Sequence, residues 1–429
     1  MTTLNGNYRE LTLDNGLVVA LQNTPTQTIS GRLRVHHGGL HEREGEEGLA
    51  HFLEHAVMKG GGRKFAPNTA ERIMGTFGNI NATTKSYETR FPVGMLADDL
   101  ELYLDLISDV IFHPRFDLGK INQERQRILR ETADVKSNPA FQDNIDYMDA
   151  FYGVDSPHTY FVLGKEDVVA RATQNNLRAF HERGYNPNNM DLILVGALPE
   201  NVDELVAKYF ADKPRGNGAK YDFPRNPDLE GRTVLHRRTQ ELYNGQSPES
   251  SSAHFSISFV APTDDAEDSY AVRRLVQILG GDANSKLFKK LSQEMGLAYG
   301  IGSSYVAQNN AGAITVGGSV QATRGDEAID ATFHEMEHLK NELVDSDELA
   351  RINRNDIYGL AKYFETNEGH VGAIEIKWDR GLTPELYLQK MDAVTPEMVR
   401  EAANKYFPAS RANGKYVLLK THFIVKMSA

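Results

Sequence analysis

The sequence predicts an α+β protein built from two halves of similar layout, and three observations carry that prediction. Segments with apolar residues at helical spacing alternate with short strand-like runs along the whole 429-residue chain. The order of elements recurs on both sides of a polar, Pro/Gly-rich stretch at 214–232, PRGNGAKYDFPRNPDLEGR. No apolar run reaches the roughly 18 residues of a membrane helix. The expected organisation is therefore an N-terminal domain over 1–213, a linker over 214–232 and a C-terminal domain over 233–429.

In the first half, residues 8–22 (YRELTLDNGLVVALQ) alternate around a DNG turn, the signature of a hairpin. A strand is expected at Ile29–His36, then a helix over GLAHFLEHAVM that stops at Gly60-Gly61-Gly62. Residues 68–77 read as helix, and Asn79–Thr84 and Thr89–Met95 as strands. Asp98–Phe112 carries Leu100, Tyr103, Leu104, Ile107 and Ile111 on one helical stripe and ends at His113-Pro114. Further helices are expected at 117–135 and 167–183, with a buried strand at Met190–Gly196. The second half offers strands at His254–Val260, Gly300–Ala307 and Ala313–Val320. Its helices are expected at Asp268–Leu279, 325–343, 346–365 and 396–406.

Composition narrows the function. A formal charge of −12 leaves no basic excess to neutralise phosphates, which argues against nucleic acid as a partner. There is no cysteine, so disulfides and thiolate metal sites are excluded and any metal must use His, Asp or Glu. The opening MTTLNGNYRELTLDNG lacks the charged-then-apolar form of a signal peptide. No membrane span and a cytoplasmic location are expected.

The chemistry concentrates at Gly48–Met58. On an α-helix, His51, Glu54 and His55 project together, because positions i, i+3 and i+4 share a face. Their neighbours Leu49, Ala50, Phe52, Leu53, Ala56 and Val57 are apolar nearly all round, the mark of a buried helix. Three unpartnered polar groups there would be costly. A metal held by two imidazoles, with the carboxylate acting on a metal-bound water, resolves the cost; a buried, hydrogen-bonded His/Glu cluster is the other solution. A three-ligand site needs one more ligand, and the helix at 117–135 offers two acids on an otherwise apolar stripe: Ile121, Glu124, Ile128, Glu131, Val135. Ion pairing with Arg125, Arg127 or Arg130 is the alternative for these carboxylates. A second histidine pair, His334-Glu335-Met336-Glu337-His338, also matches a metallopeptidase pattern. Its charged surroundings, and an apolar stripe of Phe333, Met336, Leu339 and Leu343 beside the histidines, read instead as a solvated helix surface.

With these residues in view the chain resembles the pitrilysin family of inverzincin peptidases, which includes insulin-degrading enzyme and the mitochondrial processing peptidases. The resemblance rests on the HxxEH motif His51-Phe52-Leu53-Glu54-His55 and on Glu131, 76 positions past His55, where that family keeps its third ligand. Glu124, seven positions earlier, and the flanking GLAHFLEHAVMKG, GNINATTKSYET and IFHPRF agree with it. The resemblance implies two homologous domains, each a mainly antiparallel sheet with helices packed on one face. It implies that His51, His55 and Glu131 bind Zn²⁺ and that Glu54 is the general base. It implies that Glu124 supports the site by orienting a ligand, and that Asn81 and Ala82 lie on an edge strand to which an extended peptide adds. The implied activity is zinc metalloendopeptidase action on peptides or unfolded segments inside an enclosed chamber.

One stretch departs from the family pattern. Relatives of this size work in pairs and supply an Arg and a Tyr toward the substrate, whereas KKLSQEMGLAYG keeps Tyr299 but has Ser292 where the Arg is expected. Lys289 or Lys290 is a possible substitute. The expectation is a heterodimer rather than a homodimer, in which a homologous partner subunit supplies the Arg/Tyr pair. The alternative is a non-catalytic structural subunit of the same fold.

Overall fold

A computed structural model of the chain describes residues 7–153, 162–217, 233–242, 251–308 and 311–425. Most of the stretch expected as a linker, 218–232, lies outside the described residues. The first half runs β1 (Tyr8–Thr12), β2 (Val18–Asn23), β3 (Thr28–Val35), α1 (Leu49–Gly60), α2 (Pro67–Met74), β4 (Asn79–Ile80), β5 (Thr83–Thr84), β6 (Thr89–Leu96), α3 (Leu100–Phe112), α4 (Leu118–Ser137), α5 (Pro139–Tyr152), α6 (Glu166–Arg171), α7 (Gln174–Gly184), β7 (Met190–Gly196) and α8 (Val202–Phe210). The second runs β8 (Thr233–Leu242), β9 (Ser252–Ala261), α9 (Ser269–Gly280), β10 (Ala298–Gln308), β11 (Ala311–Gln321), α10 (Gly325–Asn341), α11 (Ser346–Tyr363), α12 (Asn367–Arg380), α13 (Pro384–Asp392), α14 (Pro396–Tyr406) and β12 (Tyr416–Val425).

The fold is α+β, as expected. One sheet has the order β1-β2-β7-β3-β6-β4, with β5 also pairing β6, and all its pairs are antiparallel except β2–β7. The other has the order β10-β11-β9-β12-β8, antiparallel except β12–β8. The expected hairpin at 8–22 forms, with Tyr8 opposite Gln22. The helix expected at 167–183 is instead two, α6 and α7. Thr173 breaks it by capping α7, its side chain accepting from the Asn176 backbone N–H. Two long helices, α4 and α5, meet at Asn138, which is extended because it precedes Pro139.

Two compact units emerge, and neither is one continuous stretch. The first comprises Met1–Asn138, Tyr160–Asp222 and Leu360–Pro384. The second comprises Pro139–Thr159, Phe223–Gly359 and Glu385–Ala429. In the first unit, Val19, Leu21, Leu33, Leu192 and Leu194 project from one sheet face into the main core with α1, α3, α7 and α8. Strand residues of opposite parity, Ala20, Ile193 and Val195, meet Val371 and Ile374 of α12 on the other face. The second unit repeats the arrangement. Phe255, Ile257, Phe259, Ile314 and Val316 join the main core there. On the opposite face Ala313 and Val417 pack on Phe151 of α5. Each half of the chain thus donates one helix to the sheet of the other.

Helix α12 is fastened by charge as well as by apolar contact. Arg34 of β3, 1% exposed, makes a bidentate pair with Asp191 at 2.8 Å and donates to Asp379 of α12 at 2.9 and 3.0 Å. Arg32 donates to Glu375 of α12 at 2.6 Å. Gly369 is required where it stands, since a Cβ would lie 1.7 Å from the Tyr363 carbonyl oxygen.

Candidate metal centre

Helix α1 is locked at both ends. Gly48 precedes it with φ +102°, a left-handed conformation that favours glycine, and a Cβ there would meet the Leu163 carbonyl at 2.9 Å. The Glu42 carboxylate accepts from the backbone N–H groups of Gly48 at 2.8 Å and Ala50 at 2.7 Å, satisfying donors at the positive end of the helix. Gly61, at φ +67°, ends it. Between these stops the apolar residues of α1 are buried all round, and His51 and Glu54 are only 7% and 8% exposed.

Helix α4 packs against α1 and brings the third element of the site. Ile121, Glu124, Ile128 and Thr132 are its buried residues, so the stripe read from the sequence does face inward. Glu131 joins His51 and His55 in a group whose ligand atoms all lie within 4.8 Å of one another. Among the described residues no other set of three His, Asp or Glu side chains converges in this way. The imidazoles of His51 and His55 stand edge to face, 4.7 Å between centroids.

Each neighbour has a definite part in the geometry. Glu124, two turns before Glu131 on α4, accepts from His55 Nδ1 at 2.8 Å. That contact fixes the ring and leaves Nε2 as its free donor atom. Burial alone would raise the Glu124 pKa, but the His55 hydrogen bond and charge, with Arg127 behind, hold it below the ordinary carboxylate value. Glu54 is pushed the other way: burial raises it, Glu131 adds to the rise, and the Thr84 and His55 contacts only partly oppose. The Thr84 hydroxyl donates to Glu54 Oε2 at 2.8 Å. Burial, then the neighbouring His55, lowers His51 to about 3, so its imidazole is neutral at pH 7.

This donor set fits zinc. Two neutral imidazoles and one carboxylate are typical three-ligand chemistry for that ion. His51 Nδ1 is buried without a hydrogen-bond partner, so no hydrogen-bonded cluster satisfies both rings. Of the two acids left open on α4, the structure turns Glu131 to the imidazole pair and Glu124 to the outer nitrogen of His55.

The remaining candidates lie as follows. Asn81 and Ala82 sit between β4 and β5 at the edge of the first sheet, and Asn81 N–H donates to the Pro92 carbonyl at 3.2 Å. Tyr299 lies on β10, an edge strand of the second sheet, 77% exposed. Ser292 falls in a single wide helical turn, Phe288–Glu294, where Lys290 is ion-paired with Glu294 at 2.9 Å. His334 and His338 are exposed on α10. Sequence reasoning missed Thr84 and Glu42. Thr84 was legible only as part of the GNINATT segment, and Glu42 lies in a loop with no pattern of its own.

Comparison with known proteins adds relatives to this geometry. Residues 17–151 match the family model described as "Insulinase (Peptidase family M16)", and residues 171–355 match "Peptidase M16 inactive domain". The chain is 25% identical over 407 residues to an uncharacterized zinc protease, YmxG, of Bacillus subtilis, covering 93% of this chain and 95% of that protein. It is 26% identical over 421 residues to an uncharacterized zinc protease of Mycobacterium leprae, covering 96% and 92%. A crystal structure of a protease from Helicobacter pylori superposes with a TM-score of 0.81 at 20% identity, over 97% of this chain and 99% of that one. A peptidase M16 inactive domain from Pseudomonas fluorescens superposes with a TM-score of 0.82 at 20% identity, over 99% and 100%.

Proposed function

Because this chain belongs to the M16 peptidase family, whose members use zinc, we propose that it is itself an active zinc metalloendopeptidase acting on peptides or unfolded segments. The observation that carries the reading is the convergence of His51, His55 and Glu131 beside a buried Glu54. His51, His55 and Glu131 would hold the ion. When bound, zinc supplies a Lewis-acid charge at the scissile carbonyl.

The chain's own residues supply the rest. Glu54 takes a proton from the attacking water on its carboxylate and delivers it to the leaving amine. Thr84 holds one carboxylate oxygen, so the carboxylate stays aimed. Glu124 holds the ring of His55. The edge at 79–84 offers main-chain groups to an extended peptide, with Asn81 and Ala82 at its centre.

The decisive variant is Glu54→Gln. It retains zinc and loses peptide hydrolysis by several orders of magnitude; a variant cleaving peptide at the parent rate would remove Glu54 from the chemistry. The non-catalytic reading predicts less than one zinc per chain after gentle purification, which elemental analysis measures.

As part of the same proposal, the chain is the zinc-bearing member of a heterodimer enclosing a chamber. The support is Ser292 in the place of an expected Arg, beside Tyr299. Co-expression with a homologous chain that carries that Arg, followed by size-exclusion chromatography and peptidase assay, tests the pairing. Full activity of this chain alone would refute it. A cytoplasmic location belongs to this proposal too, and cell fractionation checks it.

A further inference from the structure

His334 and His338 stand one turn apart on the exposed side of α10, outside the buried metal centre. Their Nε2 atoms lie 3.1 Å apart, and their rings are edge to face with centroids 4.6 Å apart. Two nitrogens bound to one ion at about 2.0–2.1 Å in tetrahedral geometry are separated by roughly 3.3 Å. The pair therefore already has a chelating bite and needs no backbone movement to close on an ion.

Without a metal, one Nε2–H donates to the other Nε2. Chelation needs both Nε2 lone pairs, so the proton on Nε2 must give way to one on Nδ1. For His338 that alternative has a partner waiting: Nδ1 faces Glu342 Oε1 at 3.5 Å. A carboxylate behind the outer nitrogen is the arrangement that orients metal-bound histidines generally. The site also lies in the last two turns of α10, where the carbonyl end of the helix favours a cation.

We propose that His334 and His338 form a second, solvent-facing transition-metal site that takes Cu²⁺, Ni²⁺ or Zn²⁺ through two imidazoles, with Glu342 as the positioning residue for His338. With two protein ligands it binds more weakly than the three-ligand centre, and its open coordination positions are filled by water or by donors of another molecule. Affinity follows Cu²⁺ above Ni²⁺ and Zn²⁺, the order of nitrogen sites without imposed geometry.

The test uses the untagged full-length protein with zinc in its buried centre. It is titrated with CuCl₂ and with NiCl₂ at pH 7.5, with zinc content followed by elemental analysis. The expected result is one additional ion per chain, with imidazole nitrogen hyperfine structure in the Cu²⁺ electron paramagnetic resonance spectrum. His334→Asn and His338→Asn should each abolish that uptake, because a chelate fails when either arm is lost, and peptide hydrolysis without added copper should stay at the parent rate. Glu342→Gln should weaken uptake without changing the stoichiometry. Equal uptake by parent and variants, or half the uptake in each single-histidine variant, as for two independent imidazoles, would overturn the proposal.

Discussion

His55 shows how much a single side chain in this protein depends on its outer partner. Its Nδ1 is held by Glu124 at 2.8 Å, and Glu124 is itself 4% exposed. Replacing Glu124 by Gln keeps the volume and removes the charge, so the ring is oriented less firmly and its nitrogen is less basic. Zinc affinity should fall about 10–100-fold, the usual effect of losing such a partner, and competition with a chelator of known affinity measures it. A second residue-scale prediction concerns acid stability. Burial would raise Asp191, but hydrogen bonds and charge from His36 and Arg34 hold it below the ordinary aspartate value. A carboxyl depressed in the folded state stabilises above its unfolded pKa of roughly 3.9, and that stability is lost as pH falls through the folded pKa. Asp191→Asn should therefore flatten the acid limb of stability below pH of about 4. It should also lower stability at neutral pH by roughly 3 kcal/mol, because Arg34 loses its bidentate partner while staying buried. Glu375 acts with the opposite sign: burial raises it despite Arg32, Arg90 and Arg34. Denaturant midpoints against pH, parent beside variant, isolate the Asp191 contribution. Both Asp191 and Thr84 escaped sequence reading for one reason: each is polar among strand residues, and only the partner across space says what it does.

At the scale of elements, α1 and α12 are opposite cases. Helix α1 was legible because its buried apolar residues, its glycine stops and its three polar residues at i, i+3 and i+4 are all local signals. Helix α12 was not, since residues 367–380 carry no helical stripe of their own. Its buried residues are Asn367 and an unbroken run from Gly369 to Glu375 that includes His370, Gly372 and a carboxylate, so no stripe alternates with solvent. The two glycines argue locally against a helix; Gly369 is there because the Tyr363 carbonyl leaves no room for a Cβ. The contribution of α12 can be measured at Ile374, which is fully buried against the second face of the sheet. Ile374→Ala should destabilise the first unit by roughly 2–4 kcal/mol, transfer and cavity terms together. A urea midpoint close to the parent's would show that α12 adds little. Strands β8 and β12 were missed for a related reason: they pair in parallel although about 180 residues of chain separate them, and no turn signal announces such a partner.

At the scale of the whole molecule, the expected break at 214–232 divides the sequence, whereas the compact units do not follow it. Helix α5 belongs with the second unit and α12 with the first. A chain cut within 218–232 should therefore stay together: the two pieces should co-elute on size exclusion and separate only in denaturant. An isolated 1–213 fragment should be poorly soluble, because Ala20, Ile193 and Val195 would face water without Val371 and Ile374. Free separation of the nicked pieces in native buffer would contradict this account of the units. By itself the sequence determined the α+β class, the helix that carries His51, Glu54 and His55, and the inward stripe of α4. Those features follow from periodicities of two and 3.6 residues that solvent and core impose locally. Only the tertiary structure decided which acid of α4 meets the imidazoles, that Thr84 aims Glu54, and that each half lends a helix to the other's sheet. These depend on contacts between residues distant along the chain, where the gain comes from burying two matched surfaces together and neither surface carries a local mark of its partner.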